Sequence, residues 1–270
     1  MKLACIIVTK DRPKELARCL ASLKLQTQPA EQVIVVDANT TGVVGITKQR
    51  NYGRAQVISD IDIVVYCDDD VELAPDAFAQ TRATFIAHPD AVGVTGLMHE
   101  PYSSNWFKRN IGHYTMLYTP EPYGLTCGMF NSINPFTGVI EAAWLPGAYM
   151  AYRWAVVKNV PFDEWFSAYG LGEDLDFSLA VKAKGKLLAN SDIHIQHHHS
   201  TIGRNWKQFG YMRIKNRSYI LNKYFAHSWR HQVSYYWSNT WLILINGLRA
   251  PFSKRYRFEL YGEIKAILHA

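Results

Sequence analysis

Three successive carboxylates, Asp68-Asp69-Asp70, close the apolar run Val64-Val65-Tyr66-Cys67. Like charges at consecutive positions repel, and each is costly to bury without a counter-charge. An arbitrary acidic triplet is most often a solvated turn at a strand end. Here the preceding run reads as a buried strand, and Val71-Glu72-Leu73-Ala74-Pro75 leads straight into another helical pattern. Carboxylates at the carboxyl end of such a strand stand where open α/β sheets place their ligands. Hard oxygen donors suit Mg2+ or Mn2+ carried by a polyphosphate, so the triplet points to a divalent cation.

The chain around the triplet supplies the sheet. Leu3 to Val8 is a continuous apolar run of buried-strand length, followed by the polar turn Thr9-Lys10-Asp11-Arg12-Pro13. A helical pattern with Leu16, Leu20 and Leu23 on one face comes next, then a second short run from Gln32 to Val36 ending at Asp37. Strand, helix and strand at this spacing form a βαβ unit. Ile61 to Tyr66 is the third strand. Pro75 to Ala87 reads as a helix with Phe78, Phe85 and Ile86 as core candidates, and Ala91 to Leu97 as a further strand. Residues 99–140 show no sustained period, and 142–152 read as a strand kinked at Pro146-Gly147. Glu173 opens a helix with two acids in its first turn. In the strand pattern from Leu187 to His199, Ile193, Ile195, His197 and His199 share one face.

At 270 residues the chain can bury a large core, and 48% apolar against 19% charged residues is the balance of a globular protein. A net charge of +6 and a pI near 9.0 favour anionic partners. The basic residues form no recognised nucleic-acid module, which disfavours that partner. Four cysteines without paired spacing argue for a reducing compartment; Cys5 and Cys67 read as small buried hydrophobes. With no signal-peptide pattern and no run of about 20 apolar residues, a cytoplasmic location is expected. From Arg204 the character changes. Arg, Lys and aromatics crowd together, and the apolar stretch from Val233 to Leu248 is either a core helix or an interfacial one. Arg249, Lys254, Arg255 and Arg257 behind it would suit anionic headgroups on the inner face of the membrane.

Several motifs then fall into a known order. Ile7-Val8-Thr9-Lys10-Asp11-Arg12-Pro13 resembles the first strand and nucleotide loop of GT-A glycosyltransferases, and Val35-Val36-Asp37 their second strand. Lys48-Gln49-Arg50-Asn51-Tyr52-Gly53 is similar to the Arg-Asn-x-Gly stretch, and Cys67-Asp68-Asp69-Asp70-Val71 to the DxD motif. Trp144-Leu145-Pro146-Gly147-Ala148 is similar to the acceptor-side segment, Glu173-Asp174-Leu175-Asp176 to the ED motif, and Gln196-His197-His198-His199-Ser200 to the histidine that closes the metal site. The set covers roughly residues 1–225. It resembles family 2 of the inverting transferases, in the manner of rhamnosyl- and galactofuranosyltransferases of bacterial surface polysaccharide assembly. The loop after Asp37 reads Ala38-Asn39-Thr40-Thr41 and departs from the family pattern.

The resemblance implies an α/β GT-A fold: a mixed sheet flanked by helices over 1–203, with a basic, aromatic helical extension over 204–270. It implies an inverting, metal-dependent transfer of sugar from a UDP- or dTDP-sugar to a hydroxyl of a lipid-linked or polysaccharide acceptor. Thr9, Arg12, Asp37, Arg50, Asn51, Asp68 and Asp69 would serve the nucleotide sugar. Asp37 would accept from the base, Arg50 and Asn51 would close over it, Asp68 would lie near the ribose or make an outer metal contact, and Asp69 would turn aside. Asp70 and His197 would hold Mn2+ or Mg2+, with His199 as the rival imidazole. Asp174 would be the general base, assisted by Glu173, and Trp144 and Gly147 would line the acceptor side. Two other readings stay open. A metal-dependent nucleotidyltransferase or phosphohydrolase also gathers carboxylates at strand ends, and a non-catalytic basic protein could bind a membrane surface.

Overall fold

The computed structural model describes residues 1–99, 111–167, 169–198 and 205–269. Contacts divide the chain into two compact units, one of residues 1–101 and 135–200, the other of residues 102–134 and 201–270. Residues 99–140, unassigned by sequence, therefore belong largely with the C-terminal helices.

The first unit is built on an eight-stranded mixed sheet. Its strands are β1 (Leu3–Thr9), β2 (Gln32–Asp37), β3 (Ile63–Asp68), β4 (Val71–Leu73), β5 (Ala91–His99), β8 (Val139–Glu141), β9 (Tyr149–Arg153) and β10 (Lys186–His197). The order is β2-β1-β3-β9-β5-β10-β4, with β8 on β10. β1 runs parallel to both β2 and β3, whereas β9 is antiparallel between β3 and β5. β1 and β3, apolar runs without alternation, lie inside the sheet, and Leu3, Ile6, Ile63, Val64 and Tyr66 are fully buried.

Helix α1 (Pro13–Lys24) starts on a proline at its first turn and buries Cys19, Ser22 and Leu23. Asp37 caps a short helix α2 (Ala38–Thr41) by accepting from the Asn39 amide. Helix α3 (Ile46–Arg54) lies close on β1; a Cβ on Gly53 would stand 2.5 Å from Cγ2 of Ile6. Helix α4 (Ala77–Ala87) begins after Pro75 and buries Phe78 and Phe85. Ile86, expected in the core, faces solvent, because it falls off the stripe that 78, 81, 82 and 85 turn inward. The strand expected over 142–152 forms only as β9; Pro146 and Gly147 keep the preceding residues out of the ladder. A short helix α5 (Trp154–Val157) and helix α6 (Glu173–Lys182) follow.

The alternation read along 187–199 is interrupted. β10 pairs with β5 up to Asn190 opposite Gly96, then resumes at His194 opposite Leu97. Ser191, Asp192 and Ile193 bulge out between them, an odd insertion that resets which residues face which side. Asn190 holds the bulge, accepting from the Asp192 amide and donating to Thr84 Oγ1.

The second unit contains the two-stranded ladder of β6 (Gly124–Leu125) with β7 (Asn131–Ser132). Its helices are α7 (Trp206–Phe225), α8 (Trp229–Arg249) and α9 (Lys254–Leu268), with a 3-10 turn over Ala250–Phe252. No helix among the described residues is long and apolar enough to cross a membrane.

Candidate functional site

The acidic triplet turns the chain from β3 into β4, and β4 pairs antiparallel with β10 so that Val71 faces His197. The backbone bond from the His198 amide to the Asp70 carbonyl, 2.9 Å, locks that register. His197 Nε2 thereby lies 3.3 Å from Asp70 Oδ1. One ligand atom each from Asp68, Asp70 and His197 falls within 4.8 Å of the others. His199 lies outside the described residues.

The three carboxylates part company because Asp68 ends β3 while Asp69 and Asp70 form the turn into β4. Asp69 turns away from Asp68, accepting from Thr9 Oγ1 at 2.6 Å and from Arg12 Nη1 at 3.0 Å. Arg12 also reaches Asp70 Oδ2 at 3.2 Å. Thr9 and Arg12 are thus engaged in holding the triplet. Asp68 accepts from Arg50 Nη2 at 2.9 Å. Burial pushes the Asp68 carboxyl up to about 6, against the pull of Arg50.

Arg50 is the pivot of the site, and it is not where the sequence reading placed it. It is fully buried, because α3 turns Thr47, Arg50 and Gly53 toward the sheet. It donates to Asp68, to Glu173 Oε1 and to the Gly147 carbonyl, and packs over the ring of Phe162. Burial opposes its charge, but Glu173 and Asp68 outweigh that and hold its pKa above the usual range. It cannot close over a base. Nor can Asn51, whose amide donates to the Phe162 carbonyl and Glu164 and accepts from the Phe162 amide. Both residues brace the loop that leads to α6.

The N-terminus of α6 carries the other half. Glu173 is buried; desolvation pushes its carboxyl up to about 8 against the attraction of Arg50, and its Oε2 has no hydrogen-bond partner among the described residues. Asp174 is only half-buried and accepts from the Gly147 amide at 3.0 Å and from the Leu175 amide at 2.8 Å. Burial raises its pKa, and those two amides work the other way. A Cβ on Gly147 would stand 3.0 Å from Arg50 and 3.3 Å from Glu173, so a side chain there would press on both groups. Trp144, expected to face an acceptor, is buried, which makes it part of the wall behind the loop. Asp37 spends one oxygen on its helix cap.

Sequence reasoning missed two contributors. Gln49 donates to the carbonyls of Thr9 and Val36 and ties the ends of β1 and β2 together. Phe162 stacks on Phe177 with centroids 3.9 Å apart, closing the aromatic layer beneath Arg50. Neither residue type signals such a role without the fold.

The donor set fits a hard divalent cation. Two carboxylates and a neutral imidazole suit Mn2+ or Mg2+ and leave coordination positions for phosphate oxygens.

No protein-family profile and no curated protein sequence matches the chain. Solved structures do. GalNAc-T7 with UDP, GalNAc and Mn2+ superposes over 98% of this chain with a TM-score of 0.63 and 12% identity; the chain spans about half of that protein's length, 54%. The mannosyltransferase PcManGT of Pyrobaculum calidifontis, with GDP-Man and Mn2+, covers 99% of this chain and 87% of its own at a TM-score of 0.56 and 13% identity. S. aureus TarS 1-349 in complex with UDP covers 99% and 88% at a TM-score of 0.52 and 14% identity. The chain has the GT-A fold, with a DxD-type Asp-Asp-His cluster at the carboxyl end of its central strands.

Proposed function

We propose that this chain is an inverting, metal-dependent glycosyltransferase. One observation carries the reading: Arg50 joins Asp68 of the acidic cluster to Glu173 beside Asp174, so a metal-type donor set and an acid pair at a helix start form one site. A nucleotidyltransferase or phosphohydrolase has no use for that second pair. The GT-A fold, met in structures holding UDP with GalNAc or GDP-Man, supports the donor class.

Asp68, Asp70 and His197 would hold Mn2+ or Mg2+, which when bound supplies Lewis-acid stabilisation of the departing diphosphate. Arg12 keeps Asp69 and Asp70 in place. Asp174, steadied by the Gly147 and Leu175 amides and by the α6 dipole, takes the proton of the acceptor hydroxyl as its oxygen attacks the anomeric carbon. The leaving diphosphate departs from the opposite face, so the configuration inverts. Glu173 and Arg50 position Asp174 and the Gly147 turn. Asp37 would accept from the N3–H of uracil or thymine through the oxygen its cap leaves, which favours a UDP- or dTDP-sugar. The motif order supports a family 2 enzyme of the rhamnosyl- or galactofuranosyl type, acting on a lipid-linked or polysaccharide acceptor in cell-surface glycan synthesis.

Turnover of UDP- and dTDP-sugars with Mn2+, followed by release of the nucleoside diphosphate, tests the reading. Asp70→Asn is expected to abolish it. Equal rates in the variant, or no turnover of any nucleotide sugar by the parent, would overturn it.

A further inference from the structure

Around a small apolar cluster of Ile214, Leu242 and Ala266, α8 and α9 turn several polar residues inward. Of the residues α8 buries, Tyr235, Ser238, Asn239, Leu242 and Asn246, three are polar. α9 buries Glu259, Gly262, Glu263 and Ala266, with no large apolar side chain among them. These groups pair with one another. Asn246 donates to both oxygens of Glu263, Arg213 pairs with Glu259 and Glu263, and Arg217 donates to Asn239 and to the Gly128 carbonyl. Gly210 and Gly262 let α7 and α9 touch backbone to backbone; an added Cβ would meet the Glu259 and Lys207 carbonyls at 2.1 and 2.0 Å.

Many of the large apolar side chains of α8 and α9 stand outside. Trp229, Val233, Tyr236, Trp237, Leu244 and Leu248, with the exposed Thr240 between Trp237 and Leu244, lie at helical spacing on one exposed stripe of α8. Trp229 is 74% exposed, Leu248 76% and Phe252, on the turn after α8, 90%. On α9 the exposed face interleaves charge with apolar surface: Arg257, Tyr261, Ile264, Lys265 and Leu268. A helix face of this kind is unfavourable in water unless something covers it.

Charge decides what covers it. Residues 201–270 hold twelve Lys and Arg against two acids, Glu259 and Glu263, and both of those are buried in ion pairs. The exposed charge of the region is therefore wholly basic. A second copy of the same face would bring like charges together, whereas an anionic surface would answer them. Exposed Trp and Tyr between cations are the anchors of a lipid interface, and no helix among the described residues is long and apolar enough to span. We propose that the exposed face of α8 and α9 docks on the surface of an anionic phospholipid bilayer. This docking goes beyond the reaction proposed above and stands or falls without it.

Sedimentation of the full chain with phosphatidylcholine vesicles, pure or mixed with phosphatidylglycerol, tests the docking without any activity assay. Binding is expected on the mixed vesicles alone, weakened by salt, with a blue shift of tryptophan emission. The combined variant Lys254→Gln, Arg257→Gln, Lys265→Gln should bind about fivefold more weakly per cation, roughly a hundredfold in all. The combined variant Trp229→Ser, Leu248→Ser, Phe252→Ser should lose at least about tenfold. All six positions are exposed, so either variant should melt as the parent does. Three outcomes would overturn the proposal: absence of binding to mixed vesicles, equal binding to both vesicle types, or indifference to both variants. So would a vesicle-independent dimer that the serine variant abolishes.

Discussion

Arg50 shows how little a residue's type says about its use. Its guanidinium is as polar as any group in the chain, yet it is wholly buried and shared between two carboxylates. Removing one member of such a buried group typically costs about 3–5 kcal/mol, since a charge is left uncompensated. Asp174 differs in that it stays half open and is steadied by amides rather than by a cation. Those contacts suit a group that must be ionised before the reaction and protonated after it. Asp174→Asn is expected to lower kcat by about 10²–10⁴-fold. Calorimetry of that variant should show nucleotide-sugar affinity within about twofold of the parent; a collapse of donor binding instead would make Asp174 structural. The pH profile follows from the direction of its shift. A base works deprotonated, and burial makes Asp174 lose its proton at higher pH than an exposed aspartate. The rate at saturating metal and donor should therefore climb with pH along an acid limb lying above about pH 3.9, the ordinary aspartate value. A limb at or below that value would count against the assignment.

At the scale of elements, the position of His197 depends on a defect in the sheet. β10 must bulge at Ser191 to Ile193 before it can lay His197 beside Val71. The bulge presses its Ile193 carbonyl to within 2.2 Å of where a Cβ on Gly96 would be. Gly96→Ala must push β10 away from β5, so it should cost about 1–3 kcal/mol in denaturant unfolding. Metal-dependent nucleotide binding should also weaken in the folded variant, and an unchanged metal affinity would detach the bulge from the site. The sequence could not reveal this. Alternating Ile193, Ile195 and His197 read as one regular strand, and nothing in Asn190-Ser191-Asp192 marks an insertion. The motifs themselves were legible, because carboxylates crowded at the end of a buried strand repel one another until a cation or a guanidinium offsets their charge. Arg50, Asn51 and Trp144 were misplaced for the opposite reason. Which way a helix or loop residue faces is settled by packing across the sheet, and for Arg50 and Asn51 the partners Asp68, Glu173 and Phe162 lie well apart in sequence. The aperiodic stretch after His99 was unreadable because it contributes short ladders and turns to a second unit rather than a layer of its own.

At the scale of the whole molecule, two compact units invite separate behaviour. A ligand stabilises only what it binds, by about 2.7 kcal/mol at a hundred times its Kd. Mn2+ with UDP or dTDP is therefore expected to raise one melting transition by roughly 5 °C or more, and EDTA to cancel the rise. A nucleotide shift indifferent to EDTA would argue against the Asp-Asp-His cluster as a metal site. The antiparallel pairing of β4 with β10 also bears on biosynthesis. On the ribosome the acidic triplet emerges before its imidazole partner, which follows more than a hundred residues later in sequence. Chains grow at about 5–20 residues per second, and contacts of such long sequence separation form late. A nascent chain thus carries bare carboxylates but no complete donor set, and cannot capture metal in its finished geometry before β10 has closed the sheet.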